Sequence, residues 1–592
     1  MENIVNKYLD FCNEEIILDK DITKDSQDEI CNDLLRNYNF TLPIEYHNHK
    51  NLTDIVKNDV ELTNENSIFN NLTKNKDILN NNLLIDKWSS IYSTDKSFLK
   101  DNQKFLKNYS YYKNDMNNFI NEYLNYKGEQ NFINKYQYIQ FKRFMYLNNY
   151  SSFLYLLGFY NICSPLFSLL APIIGLIIPY FILLFKGIRL SFSQYYLLIK
   201  GIILNNNIIN GIFNFHNNSF QKNIYTLMSI FFYVMSIYNN IISCITFYKN
   251  TNYIIEYIEK YNNFLLNGEI LINNIYKQTN KLKKFELFNT KMLTYKEQIN
   301  KLKNKLNIIT EINKSEKYLQ YGQLGLLLQY NYDLFNNESY HDIIMYLIYL
   351  NNYNQDLYSI NCFIKNKKLN KCSFIKNTKP KIKNLYYLPY INDNYIDNNI
   401  DLSNNLIVTG PNASGKTTLI KSIIINLFLS QSIGFGCYTS CKIPVYDYFH
   451  SYLNIPDTSN RDSLFQAEAR RCKEIIEFIN EKKNKKHFCI FDEIYSGTNP
   501  NDAILCATLY LKGLNKYKKN VDYILTTHYT NMCENFIDDN IIKNKKMKID
   551  DSNSEELKYF YKITDGISYI NGGYQILVQL NYPKNILELH NK

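Results

Sequence analysis

At 592 residues, 45% of them apolar, and with a net charge of +10, the chain is too long for one compact fold and has room for three or four domains of roughly 150 residues. The mild positive balance permits contact with nucleic acid or anionic lipid and demands neither. Its 12 cysteines include no C-x-x-C pair, and Cys437 and Cys441 have no matching His or Cys pair nearby. Zinc and a disulfide framework are therefore not indicated, and a reducing, intracellular compartment is expected.

Residues 1–140 are polar and rich in Asn, Lys and Asp, with short apolar helical stretches at 105–112 and 119–126. The opening segment carries acids and no apolar h-region, so no cleaved signal peptide is expected. His47 and His49 stand together without further ligands, which reads as a surface loop rather than a metal site. The lone Trp88 reads as a packing residue. This region is expected to be helical with loose loops and to bear no chemistry.

From Phe144 to Phe185 there is no charged side chain, a run longer than the roughly 20 residues that cross a bilayer. Pro165, Pro172 and Pro179 interrupt it, so one kinked span and a hairpin turning near Pro172 are both open. A second uncharged run, 223–248, lies between Lys222 and Lys249 and contains Asn239 and Asn240. The alternative to membrane spans is a pair of buried helices in a large helical domain. Lys142 and Arg143 precede the first run, while Lys186, Arg189, Lys200 and Lys222 lie between the two, so the basic bias selects no side. Residues 251–374 read as long amphipathic helices, for example 254–266 and 295–312, that act as levers or simply pack. Near Pro380 the pattern changes to short strand-like runs at 385–390 and 406–408. Four consecutive regions are thus expected: 1–140, 141–250, 251–374 and 375–592.

The last region carries the chemistry. After an apolar, β-branched run, Gly410-Pro411-Asn412-Ala413-Ser414-Gly415-Lys416-Thr417-Thr418 satisfies G-x-x-x-x-G-K-[ST] at every fixed position, and a helix-like run follows. The glycines let backbone N–H groups turn toward a polyphosphate, the following helix adds its positive N-terminal end, and Lys416 supplies a full charge. Thr417 is then placed to ligate Mg²⁺. Downstream, KHFCIFDE at 486–493 reads as an apolar strand ending in two acids. Asp492 is the expected metal-associated carboxylate and Glu493 the expected general base. A further strand at 523–525 leads into His528, which can hydrogen-bond a γ-phosphate.

With these motifs in hand, residues 406–579 resemble the ATPase domain of the MutS family of DNA mismatch-repair proteins, a branch of the ABC-type ATPases. GPNASGKTT looks like that family's phosphate loop. Gly434, Pro444 and Asp447 fall in its next segment, and Ser463, Phe465 and Glu468 in its S-T-F-x-x-E signature. Asp492, Glu493, Gly497, Thr498 and Asp502 follow its D-E-x-x-x-G-T-x-x-x-D run, His528 its THY, and Asp565-Gly566 and Gly573 its closing segment. The resemblance implies that Ser463 reaches the nucleotide of a partner subunit. Departures are Ser496 for Arg, Leu464 for Thr, and Asn571-Gly572 for Ser-Tyr. The first 370 residues contain no Phe-x-Glu segment of the kind that enters a mismatch.

The expected architecture is an α/β C-terminal P-loop ATPase domain behind a mainly helical N-terminal and lever region. The expected activity is hydrolysis of ATP with Mg²⁺ in a homodimer or MutS-like heterodimer, with Lys416 as clamp, Thr417 and Asp492 at the metal, Glu493 as base and His528 as sensor. Family resemblance implies DNA as partner and a clamp of the mismatch-repair type. The alternative is a membrane-associated ATPase acting on a bilayer-bound partner, which the apolar runs favour.

Overall fold

The computed structural model describes residues 38–62, 68–72, 84, 87–129, 131–188, 191–205, 220–313, 323–376, 378–453, 463–550, 558–570 and 582–583. Asn571, Gly572 and Gly573, Arg189, and the opening segment read for a signal peptide lie outside these residues. In chain order the elements are β1 (His49–Asn51), α1 (Asp54–Asp59), β2 (Ile91–Ser93), α2 (Lys96–Lys107), α3 (Met116–Lys127), α4 (Phe132–Lys135), α5 (Ser151–Phe185), α6 (Phe192–Asn205), α7 (Phe220–Thr279), α8 (Glu286–Asn313), α9 (Gln323–Asn336) and α10 (Glu338–Lys365). There follow β3 (Asn370–Phe374), β4 (Lys381–Leu385), β5 (Asn398–Asp401), β6 (Asn405–Thr409), α11 (Lys416–Ser432), β7 (Phe435–Gly436), β8 (Ser440–Ile443), β9 (Tyr448–Tyr452), α12 (Leu464–Glu481), β10 (His487–Asp492), α13 (Pro500–Asn515), β11 (Val521–Thr527), α14 (Thr530–Glu534), β12 (Ile542–Asp550) and β13 (Lys558–Asp565).

The chain divides into two compact units assembled from separated segments. One holds Asp115–Glu269 and Lys296–Met345; the other holds Leu35–Asn114, Ile270–Tyr295 and Tyr346–Lys592. In the first unit α3, α4, α7 and α9 build an aromatic core. Phe132 stacks on Phe335 at 3.7 Å between ring centroids, Tyr126 stacks on Tyr257 at 4.1 Å, and the Tyr126 hydroxyl donates to Asn331 Oδ1 at 2.8 Å.

The second unit is organised by a six-stranded sheet in the order β13-β12-β6-β11-β10-β9. Strands β9, β10, β11, β6 and β12 run parallel, and β13 closes the edge antiparallel. Every residue of β6 and β11 is buried, which is why central strands of a parallel sheet read as unbroken apolar runs. A second sheet has the order β5-β4-β8-β3-β7. The strand expected at 385–390 is shorter and earlier: β4 ends at Leu385, and Leu388–Tyr390 is a 3-10 turn. Pro389, which has no N–H for a ladder, lies inside that turn. Likewise the helix expected at 105–112 ends at Lys107.

Residues from the polar N-terminal region pack within this same unit. Asp95 caps α2 by accepting from Ser97 and Phe98 N–H groups. Asn102 Nδ2 donates to Ile433 O at 3.1 Å, and Gln103 Nε2 donates to Cys372 O at 2.8 Å and Gly434 O at 2.7 Å, all buried. Gly434 has φ +90, and a Cβ there would lie 2.5 Å from Gln103 Cγ. Trp88 packs edge-on against Tyr353 at 5.7 Å and is 8% exposed. His47 and His49 each hydrogen-bond a backbone carbonyl, of Lys284 and His47 respectively. Gln103→Leu should remove the side-chain donor from two buried carbonyls, of which Gly434 O keeps the Cys372 N–H at 3.0 Å, and lower unfolding free energy by about 1 kcal/mol. A denaturant midpoint equal to that of the wild type would show that α2 is not anchored through this side chain.

The run 153–185 is neither a hairpin nor interrupted, because α5 continues from Ser151 to Phe185 through all three prolines. Each proline frees a carbonyl four residues earlier. Pro165 frees that of Asn161, and Ser164 Oγ donates to it at 2.9 Å; Ser168 Oγ donates to Ser164 O at 2.6 Å. Hydroxyls that satisfy freed carbonyls in this way let a helix run through proline.

Candidate nucleotide-binding site

Register brings the chemistry together. Asp492 pairs with Thr526, Thr526 with Val408, and Thr527 with Thr409, so β10, β11 and β6 end at one level and release their loops side by side. Residues 410–415 leave β6 and enter α11 at Lys416. Ala413 has φ +62 and Gly415 φ +89. These left-handed positions fold the loop back on itself, and glycine carries the second without a Cβ penalty. A Cβ on Gly410 would meet Ser414 Oγ at 2.8 Å, and one on Gly415 would meet Tyr561 Cδ1 at 3.0 Å. Ser414 Oγ is buried without a hydrogen-bond partner among the described residues.

Lys416 is 5% exposed. Its Nζ donates to Gly410 O at 2.9 Å and Pro411 O at 3.3 Å, and pairs with Glu493 Oε1 at 3.7 Å. Burial holds this ammonium below the usual lysine range, with Glu493 and Asp492 opposing. His528 Nε2 lies 2.7 Å from Glu493 Oε1 and 3.1 Å from Lys416 Nζ. The shorter contact is satisfied when Nε2 carries the proton and donates it to the carboxylate. That hydrogen bond, with Lys416 adding to it, holds Glu493 below the usual carboxylate range, so the side chain is ionised at neutral pH.

Glu493 itself has φ +50, a left-handed conformation costing about 1–2 kcal/mol in a residue with a Cβ. It is held there by its N–H, which donates to Thr526 O at 3.0 Å. Asp492 accepts from Thr417 Oγ1 at 2.7 Å and from Thr526 Oγ1. Thr526 was not singled out from sequence; only the register of β10 against β11 shows that its hydroxyl faces the carboxylate. Asn412, Ala413, Thr417 and Thr418 are exposed toward a cavity of about 580 Å³ that extends past Tyr387 and Ile396 to Tyr561. These aromatic and aliphatic walls also escaped the sequence reading, since tyrosine is abundant throughout the chain.

Ser463 lies outside this cluster. It caps α12, accepting from Gln466 N at 3.3 Å while its own N–H donates to Gln466 Oε1 at 3.0 Å, and its side chain is exposed. Five residues on, buried Glu468 accepts from Ser496 N at 3.1 Å, Ser496 Oγ at 2.8 Å and Gly497 N at 3.1 Å. The signature helix thereby holds the loop that follows Glu493, and the departure Ser496 contributes one of its bonds.

The donor set suits a nucleotide with a divalent cation. The orphaned Ser414 hydroxyl, the loop N–H groups and Lys416 fit a polyphosphate, while Thr417 and Asp492 offer the hard oxygens that Mg²⁺ prefers. Ligands of parallel sheets bind outside the carboxyl ends of the strands, where these groups converge. The class so defined is that of the α/β ATPase domains. Residues 406–592 match the family model described as MutS domain V, so this part of the chain is similar to the MutS family.

Similar proteins include the DNA mismatch repair protein MSH3 of Lodderomyces elongisporus, 29% identical over 182 residues that cover 29% of this chain and 18% of the relative. Endonuclease MutS2 of Streptococcus uberis is 26% identical over 210 residues, 35% of this chain and 25% of the relative. The DNA mismatch repair protein MutS of Thermosipho melanesiensis is 26% identical over 220 residues, 36% and 25% respectively. The matched part therefore spans only a quarter or less of the length of these relatives.

Proposed function

We propose that the chain hydrolyses ATP to ADP and phosphate in a Mg²⁺-dependent reaction, and that this activity is coupled to DNA as in the mismatch-repair proteins it resembles. The observation carrying the reading is the convergence of Lys416, Thr417, Asp492, Glu493 and His528 at the ends of three adjacent strands. Lys416 would exchange its two loop carbonyls for phosphate oxygens. Thr417 and Asp492 would hold Mg²⁺, which supplies charge neutralisation on the phosphates. Glu493, already ionised, would take a proton from the attacking water, and His528 would turn from Glu493 toward the phosphate end. The experiment is steady-state ATP hydrolysis by the full chain, with Lys416→Ala and Glu493→Gln as the discriminating variants.

A second part of the proposal is assembly. The exposed Ser463 at the N-terminal end of α12 supports the reading that this residue meets the nucleotide of another copy or of a MutS-like partner subunit. The long helices between 251 and 374 would carry that closure as levers. In the Glu493→Gln background, ATP should shift the protein to a dimer, and adding Ser463→Arg should return it to monomer. Ser463→Thr, which keeps the helix cap, should not. Light scattering that finds one mass in all variants with and without ATP would eliminate composite sites.

The DNA-coupled reading is supported by the named functions of the relatives, and a charge of +10 is compatible with it. Recognition of a mismatch is not part of it, because the segment that would enter the lesion is absent from residues 1–370.

A further inference from the structure

The helical unit carries a surface that is inside out by the standard of a water-soluble protein. Phe159, Tyr160, Leu166, Phe181 and Phe185 on α5 are exposed, Phe185 to 93%. The first part of α7 is the same, with Tyr225, Phe231, Phe232 and Val234 among its exposed side chains. Three polar contacts join the two helices. Tyr233 OH donates to Leu169 O at 3.0 Å, Asn240 Nδ2 to Ser168 Oγ at 2.7 Å, and Cys244 Sγ to Ile162 O at 3.3 Å. These pairs define an antiparallel α5–α7 hairpin with hydrogen bonds between its two helices. Polar side chains bonded across a helix pair in this way join helices in hydrocarbon.

Both helices change character at the same level. On α5, Leu154 is fully buried and Gly158 lies against Leu324 of α9; beyond it the large side chains are mostly exposed. On α7, Ile254, Tyr257, Ile258 and Tyr261 are buried, while the uncharged part before Lys249 is mostly exposed. The register Cys244–Ile162 puts Lys249 opposite this end of α5. From there 160–185 and 223–248 run uncharged for about 39 Å each at 1.5 Å per residue. That exceeds the roughly 30 Å hydrocarbon thickness of a bilayer. In sequence, Lys142, Arg143 and Lys249 flank the near end, and Lys186, Arg189 and Lys222 the far end, as cationic residues flank spans at headgroup level.

We propose that residues 160–185 of α5 and 223–248 of α7 form a helical hairpin inserted in a lipid bilayer, entering and leaving it at the end that Lys142, Arg143 and Lys249 flank in sequence. A second copy is a poorer occupant, since the exposed apolar side chains surround the pair rather than forming one face that a partner could cover. Of the two residues that weaken a lone span, Asn240 is paired within the hairpin, while Asn239 is exposed.

The test uses the full chain synthesised in the presence of phosphatidylcholine vesicles containing one fifth phosphatidylserine. The wild type should float with the vesicles and remain with them in alkaline carbonate. Gly175→Arg combined with Ile230→Arg places one charge in each crossing, at a glycine with open space around it and at an exposed Ile. It should cut the carbonate-resistant fraction at least tenfold while helix content by circular dichroism is kept. Because that variant could fail for other reasons, Phe231→Trp in a Trp88→Phe background supplies an independent reading. Its fluorescence should be quenched by lipids brominated along the acyl chain, whereas the wild-type Trp88, 8% exposed in the other unit, should not respond. Complete extraction of the wild type by carbonate would overturn the proposal. So would an absence of quenching in the Phe231→Trp protein together with a soluble oligomer of defined mass, which would identify a second copy as the occupant.

Discussion

Glu493→Gln is expected to bind ATP normally and to hydrolyse it roughly 10²–10⁴-fold more slowly, the range by which a well-placed general base accelerates proton transfer. The substitution keeps shape and the hydrogen bond from His528, so the loss isolates the charge that this contact and Lys416 maintain on the carboxylate. Lys416→Ala should act on the other parameter. It removes a buried ammonium poised over the loop carbonyls at 2.9 and 3.3 Å, and with it charge-assisted bonds of about 1.5–3 kcal/mol, a tenfold to hundredfold weaker affinity for a fluorescent ATP analogue. Hydrolysis by Glu493→Gln within about twofold of wild type would remove Glu493 from the mechanism. Unchanged affinity in Lys416→Ala would mean the loop does not clamp phosphate.

The second large effect is expected at Glu468, which touches no nucleotide group. Its carboxylate is 2% exposed and accepts three hydrogen bonds, two from backbone N–H groups of Ser496 and Gly497 and one from the Ser496 hydroxyl. In Glu468→Gln one acceptor oxygen becomes an amide donor facing a donor, so a part-buried N–H loses its charged partner and meets a like group. A hydrogen bond to a charged group contributes about 1.5–3 kcal/mol. Urea unfolding should shift by that amount, and hydrolysis should fall because the loop after Glu493 loses its anchor. A Cβ on Gly497 would come within 2.8 Å of Leu464 Cγ and the Phe465 nitrogen, which shows how tightly this loop lies on the start of α12. Stability and hydrolysis both within experimental error of wild type would show that the loop is held by other contacts.

Much of the site was legible because its chemistry is written in short contiguous words. Residues 410–418 and the pair Asp492-Glu493 lie next to strands whose apolar composition follows from complete burial. The backbone of a loop and the end of a strand are local structures, so residue type and spacing suffice to place Lys416, Thr417 and Asp492 within one kind of chemistry. Glu468 was readable only through resemblance, and His528 on its own only as a residue at the end of a strand. Their partners come from other strands and helices, and a lone His or Glu carries no local signal of that pairing.

By itself the sequence determined the strand-loop-helix that carries Lys416, the acidic end of β10, and two stretches too apolar and too long for exposed helices in water. The tertiary structure alone decided the rest. It paired Thr526 with Asp492, drew Lys416 onto the loop carbonyls, and set α2 against Gly434 through Gln103. It also carried α5 unbroken through three prolines. Strand register joins Thr526 to Asp492 across 34 residues, and packing joins Gln103 to Gly434 across 331; which donor meets which acceptor over such separations leaves no periodic trace in the chain.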